Sequence, residues 1–406
     1  MNSPQVSLLT GCRDKPYALG LATALAATGM KVDFVGGNEL DSPELRGNPQ
    51  INFLNLRGDQ SVEAGLLQKM ARVLAYYFRL IVYAATARPN ILHILWNNKF
   101  EYFDRTALML YYKLLGKKII FTAHNVNIGK RDGHDSFLSR LSLKIQYHLC
   151  NNIFVHTEKM KCELLAEFKV PENKVSVIPL GINRTVPNTA LTGAGARQKL
   201  GIDANDKVIL FFGQIAPYKG LEFLVAAFDE LVKSDPSCRL IIVGRPKGPK
   251  NYWNDIRETI ARSDSRRRII QKIEFIPDAE TELYFKAADV LVLPYVHIFQ
   301  SGVLFLSYSF GLPVVAADVG SLKEEIFEGK TGLVFEANSM TALARAIQNY
   351  FESDLYRELN VRRREIQDFA NDRYSWSKVA AMTTAVYSKL SPEKKLYCPH
   401  CVPEKL

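Results

Sequence analysis

Short apolar runs alternate along this chain with longer stretches in which apolar residues recur three and four positions apart. The runs, many closed by glycine, predict buried strands; the longer stretches predict amphipathic helices. In the first half the pattern predicts strands at Val6–Thr10, Lys31–Val35, Ile51–Leu54, Ile91–Leu95, Lys118–Thr122, Ile153–His156 and Val175–Pro179. Helices fall between them at Tyr17–Ala27 and at about 66–86, 103–115, 137–148 and 158–168. Residues 183–206 are a polar break that reads as an interdomain linker. The alternation then restarts, with strands at Val208–Phe212, Leu240–Val243, Ile270–Phe275, Val290–Leu293, Pro313–Ala316 and Gly332–Phe335. Ser375–Leu390 closes the pattern as an amphipathic helix.

Strand–helix alternation of this kind builds parallel sheets through right-handed crossovers. The 406 residues exceed one ordinary domain. The expected architecture is α/β, two Rossmann-like domains at 1–186 and 187–370. Residues 371–406 supply a helix returning to the first domain, then a tail. Ligands of such sheets bind beyond the carboxyl ends of the strands, so those ends are expected to face a central cleft.

Composition narrows the class. Apolar content of 47% and charged content of 23% fit a globular protein, and no apolar run has the length of a membrane span. No cationic start followed by a long apolar stretch opens the chain, so a cytoplasmic protein is expected. The net charge is +10, of which residues 1–190 carry 23 Lys and Arg against 15 Asp and Glu. That excess predicts an anionic partner, such as a phosphorylated lipid or an anionic membrane at the cytoplasmic face. No motif for DNA or RNA accompanies it, so no nucleic-acid partner is expected. Lys69, Arg72, Tyr76, Arg79 and Tyr83 share one helical stripe. It reads either as a headgroup-facing surface or as the ordinary exposed face of a helix whose other side is core. Four of the six cysteines are scattered, which fits reduced thiols; Cys398-Pro-His-Cys401 is half of a zinc site at most.

The candidate chemistry lies in Phe211-Phe-Gly-Gln-Ile-Ala-Pro-Tyr-Lys-Gly220. An apolar strand ends at Gly213, and Lys219-Gly220 precede a helical pattern. A tight loop with one cation at a helix N-terminus suits a diphosphate. A second helix N-terminus is expected near Ser301-Gly302, in Gln300-Ser-Gly-Val-Leu-Phe-Leu-Ser-Tyr-Ser-Phe-Gly-Leu-Pro-Val-Val-Ala. Alone, Gly213 to Gly220 reads equally as a generic strand-to-helix turn.

From Val208 to Phe335 these stretches, with Ile-Ile-Val-Gly244 and Ala-Ala-Asp289-Val, resemble the donor domain of glycosyltransferase family 4, which has the GT-B architecture. The first half resembles the acceptor domain in layout and in Thr122-Ala-His-Asn125. The resemblance implies retaining transfer from a nucleotide-diphosphate sugar to a glycan, lipid-linked or small-molecule acceptor. It implies no metal at the diphosphate and no cofactor besides the nucleotide-sugar co-substrate. Carried over by position, Lys219 meets the diphosphate and His124 lies near the donor sugar. Gly213, Gln214, Gly220, Arg245, His297, Gln300, Ser301, Gly302 and Val303 complete the donor side, and Gly11, Arg13 and Asn125 the acceptor or phosphate side. Two departures stand out. Gln214 occupies a place where many relatives have arginine, and the family's paired glutamates fall on Ile298 and Leu306. A subgroup using backbone and Gln-Ser-Gly contacts, a non-catalytic scaffold, and a nucleotide-sugar epimerase are the readings open at this point.

Overall fold

The structure is a computed structural model that describes residues 5–61, 65–127, 129, 135–182, 186–298 and 300–391. Two units are delimited: one runs to Gly181 and resumes at Tyr374, the other spans Ile182–Arg373.

The first unit holds a seven-stranded sheet of β1 (Gln5–Leu9), β2 (Lys31–Gly36), β3 (Ile51–Asn55), β4 (Ile91–Ile94), β5 (Lys118–Thr122), β6 (Asn152–Val155) and β7 (Val175–Val177). Its order is β3-β2-β1-β4-β5-β6-β7, with every pairing parallel. The sequence in which strands are added changes side between β1 and β4, so the crevice at their carboxyl ends is the natural ligand position. The returning helix Trp376–Leu390 packs on helix Lys15–Ala27. Trp376 sits where only glycine fits: a methyl on Gly20 would lie 2.2 Å from its ring, and one on Gly181 2.4 Å.

The second unit holds β8 (Lys207–Phe212), β9 (Cys238–Val243), β10 (Ile269–Lys272), β11 (Val290–Leu293), β12 (Val314–Ala317) and β13 (Gly332–Phe335). These pair in parallel in the order β10-β9-β8-β11-β12-β13, so the switch point lies between β8 and β11. Both strands are apolar at nearly every position because helices cover both faces of a parallel sheet.

Two expectations need correction. The polar break at 183–206 is not all linker: Gly193–Leu200 is a helix with Thr192 as its N-cap, and it packs on helix Asp278–Ala287 within the second unit. The stripe on helix Leu66–Thr86 is turned the other way. Tyr76 is buried with its hydroxyl on Asn98 Oδ1 at 2.6 Å, and the Tyr83 hydroxyl meets Ser7 and Asp33. Arg79 donates to the Leu56 carbonyl and Arg72 pairs with Asp59. The tyrosines of the stripe turn toward the sheet with Leu80 and Ala84, Arg79 stays exposed, and Leu74, Phe78 and Val82 face outward.

Candidate active site: two sheet ends

In the second unit the site grows from the end of β8. Gly213 adopts φ +120° and Gly244, at the end of β9, φ +147°. A methyl on Gly244 would lie 1.6 Å from the Gly213 carbonyl oxygen, so two backbones touch where any side chain would block them. Pro217–Lys219 forms one 3-10 turn, and Gly220 at φ +63° turns the chain into helix Leu221–Ser234. Gly220 also passes against β11, where a methyl would lie 2.0 Å from the Pro294 carbonyl.

Lys219 is 6% exposed, with its Nζ 3.7 Å from the centroid of the Tyr295 ring. The Tyr295 hydroxyl lies 3.2 Å from Ser301 Oγ, so one aromatic side chain ties the cation to the next loop. Ser301 N-caps helix Gly302–Ser309 without a side-chain cap hydrogen bond. Gly220 likewise gives helix Leu221–Ser234 no side-chain cap. Two helix N-termini without side-chain caps therefore meet one cation, an arrangement that accepts phosphate oxygens. A methyl on Gly213 would touch Val303 at 3.6 Å, which brings the ends of β8 and this second helix together.

The remaining donor-side candidates separate. Gln214 is partly exposed beside Gly213, and Gln300 carries a buried Nε2 without a partner among the described residues. His297 is exposed; its N–H approaches the Tyr218 carbonyl at 3.5 Å. Arg245 is exposed too, its guanidinium 5.7 Å from the Phe275 ring centroid. Ile298 and Leu306 are buried aliphatics at 7% and 6% exposure, so no carboxylate stands at either place.

In the first unit the loop after β1 contains three left-handed residues, Gly11, Cys12 and Asp14. Such conformations in non-glycine residues are strained and need bracing. Arg57 donates to the Gly11 carbonyl at 2.7 Å, and the Asp14 side chain caps helix Lys15–Ala27 by accepting from the Tyr17 N–H. A methyl on Gly11 would lie 2.8 Å from the Trp96 carbonyl, so this loop closes onto the end of β4. Arg13 projects as an exposed cation and Asn125 is partly exposed.

His124 follows β5 and stacks face to face on Trp96, ring centroids 4.1 Å apart at 3°. Tyr17 meets it edge-on at 4.7 Å. Its Nδ1 lies 3.0 Å from His156 Nε2, while His156 Nδ1 lies 3.0 Å from the Ile178 carbonyl. A carbonyl only accepts, so His156 carries its proton on Nδ1 and accepts at Nε2. His124 must then donate from Nδ1, which leaves His124 Nε2 as a bare lone pair. That atom is buried and has no partner among the described residues. Burial, then the neighbouring imidazoles, holds His124 well below the usual imidazole range; burial brings His156 to about 4. His124 is thus a neutral acceptor of fixed orientation. His156, Trp96, Tyr17 and Tyr295 were not singled out from sequence. The available signal was that His124 and His156 end neighbouring strands, β5 and β6, at the same edge.

Among the described residues no group of three or more His, Cys, Asp or Glu is placed to hold a metal ion. Cys12, Cys150, Cys162 and Cys238 are free thiols; Cys398 and Cys401 lie outside the described residues.

Comparison with known proteins converges on one group. A model of glycosyltransferase family 4 matches residues 16–186, and one of glycosyl transferases group 1 matches 206–353. The D-inositol 3-phosphate glycosyltransferase of Corynebacterium glutamicum is 28% identical over 280 residues, 66% of each chain. That of Corynebacterium efficiens is 25% identical over 281 residues, 67% of this chain and 65% of its own. The chain thus spans just under two thirds of the curated relatives it matches. Among solved structures, sucrose-phosphate synthase from Thermosynechococcus elongatus superposes with a TM-score of 0.75 at 19% identity, covering 97% of this chain and all of that one. Anabaena HepE in complex with UDP-glucose gives 0.71 at 15% identity, over 96% of this chain and all of that one. Two Rossmann-like sheets, matched in succession by models of sugar-transferring enzymes, carry the conclusion: the chain belongs to glycosyltransferase family 4 and has the GT-B fold.

Proposed function

We propose that this glycosyltransferase moves a sugar from a nucleotide-diphosphate donor to a glycan, lipid-linked or small-molecule acceptor, with retention and without a metal at the diphosphate. The observation that carries the proposal is the cradle around Lys219. One buried cation, two helix N-termini lacking side-chain caps, and two glycines in close backbone contact converge at the β8–β11 switch point. These groups bind a diphosphate and stabilise the charge that grows on it as the sugar leaves, the electrostatic role that otherwise falls to a metal. Relatives crystallised with UDP and UDP-glucose support a nucleotide-sugar donor.

With Ile298 and Leu306 buried, the donor sugar is held by other groups: the Gln300 amide, the Ser301–Val303 backbone and the exposed His297. In the first unit, the neutral His124 Nε2 accepts a hydrogen bond from a substrate hydroxyl. Arg13, beside the Gly11 loop, offers an exposed cation to the acceptor, and relatives named for D-inositol 3-phosphate support a phosphate-bearing one. A donor phosphate oxygen takes the acceptor proton on the face the leaving group departs from, which retains the anomeric configuration.

The burial of Ile298 and Leu306 also favours a second reading, a non-catalytic homologue in glycan assembly. The test is incubation with nucleotide sugars in excess EDTA, following nucleotide release and the anomeric signal of the product by NMR. Metal-free turnover with retention supports the proposal; donor binding without turnover on any nucleotide sugar establishes the second reading.

A further inference from the structure

The first unit exposes an apolar surface that the sheet ends do not use. On helix Leu66–Thr86, Leu66, Leu67, Met70, Leu74, Phe78 and Val82 are 44–82% exposed. Residues 101–114 form an adjacent helical run containing a π-turn at Asp104–Leu108. Its Phe103, Leu110 and Leu114 are also exposed, Leu114 by 87%. Helix Phe137–Leu149 packs on that π-turn and exposes Phe137 by 79% and Leu138 by 64%.

The three helices lie side by side. Tyr77 stacks on Phe100 and meets Phe103 edge-on at 5.4 Å, the Tyr111 hydroxyl donates to the Ile81 carbonyl at 3.0 Å, and Arg105 reaches Ser142 at 3.5 Å. Their apolar rows therefore lie next to one another, and adjoining exposed apolar side chains rimmed by cations mark an interaction surface.

Charge decides what covers it. Residues 65–127 contain nine Lys and Arg against two acids, Glu101 and Asp104. Glu101 is paired with Arg105, and Asp104 is buried on Asn98. Residues 135–157 add Lys144 as a net cation, since Arg140 is paired with Asp135. Arg79, Lys99 and Lys144 are exposed, and Arg140 is exposed but paired with Asp135. A second copy on the same face would set these cations against their own kind. An anionic bilayer supplies both complements, acyl chains for the rows and negative headgroups for the rim. No helix among the described residues is long and apolar enough to cross a membrane, so the contact is an interfacial one.

We propose that this three-helix face seats the first unit on an anionic lipid surface. The aliphatic rows enter the headgroup–acyl boundary, and the cations sit at headgroup level. The inference does not depend on the transfer reaction, and its test reads binding alone.

The test is flotation of the full chain with phosphatidylcholine vesicles, with or without about one third phosphatidylglycerol, at low and high salt. The wild type floats with anionic vesicles at least roughly tenfold more than with neutral ones, and less at high salt. The triple variant Leu67→Glu, Phe78→Glu, Leu114→Glu loses at least roughly tenfold of that partition while melting as the wild type does, because all three side chains already face water. The charge variant Lys99→Glu, Lys144→Glu weakens binding to anionic vesicles only. The proposal is overturned if the wild type stays unbound with anionic vesicles or the triple variant floats as the wild type does. It is also overturned if lipid-free light scattering shows a dimer that the triple variant dissociates.

Discussion

Replacing Lys219 with methionine keeps the aliphatic stem and removes the charge. Two routes give the size of the loss. A unit charge about 4 Å from a phosphate oxygen contributes about 4 kcal/mol at an effective dielectric near 20. Removing one preorganised donor from a developing oxyanion costs about 3–4 kcal/mol, or about 100- to 1,000-fold in kcat. The fold bears little of this. The charge is 6% exposed and leans on the Tyr295 ring at 3.7 Å, so losing the cation–π contact, about 1–2 kcal/mol, is offset by no longer burying an ammonium. The assay is nucleotide release from the donor under saturating and limiting conditions, alongside a thermal melt. Because charge grows on the diphosphate as the bond breaks, kcat should fall more than KM rises. A Lys219→Met enzyme within about threefold of wild-type kcat/KM, under 1 kcal/mol, would refute the reasoning. A variant that loses melting temperature but keeps kcat would assign Lys219 to structure.

His156 positions His124 without meeting substrate, so His156→Phe should lower kcat by roughly tenfold by freeing the His124 tautomer, and His156→Gln should recover part of it through its amide oxygen; equal rates in all three would remove the role. Burial holds His93 at about 3 and His156 at about 4, below their unfolded value, so their stability is full above about pH 6.5 and lost as pH falls toward those values. Each contributes up to about 1.4 kcal/mol per pH unit, while buried Asp104, pushed up to about 6, acts oppositely. Urea midpoints between about pH 7 and about pH 5 should fall, and His156→Gln should flatten the slope. Gly220→Ala should abolish donor-induced stabilisation in a thermal-shift assay, since its methyl would meet the Pro294 carbonyl at 2.0 Å and its φ is +63°; an unchanged nucleotide shift would contradict the cradle geometry. Trp376→Ala should cost about 3–5 kcal/mol, read as a lower denaturation midpoint, because glycines at 20 and 181 leave a slot that nothing else fills.

Strand and helix positions were legible in the sequence because parallel strands covered on both faces are written as continuous apolar runs, and glycines mark their ends. Gly213 and Gly11 could be placed for the same reason, since each closes a run, and Gly220 because a helical pattern starts after it; each turns out to hold a left-handed or closely approached backbone. The resemblance carried Lys219 and His124 to the edges where both sheets end. Spacing alone could not orient the helix Leu66–Thr86. Its polar and apolar stripes are both complete, and only packing against the sheet decided that Tyr76 and Tyr83 turn inward and Leu74 and Phe78 outward. Nor could it read the Ile178–His156–His124 line, whose members are distant in sequence and adjacent only because β5, β6 and β7 lie side by side. Periodicity along a chain determines which residues share an element's face. Which face meets which neighbour, and so which tautomer is fixed and which surface is left bare, is set by contacts between segments that the sequence keeps apart.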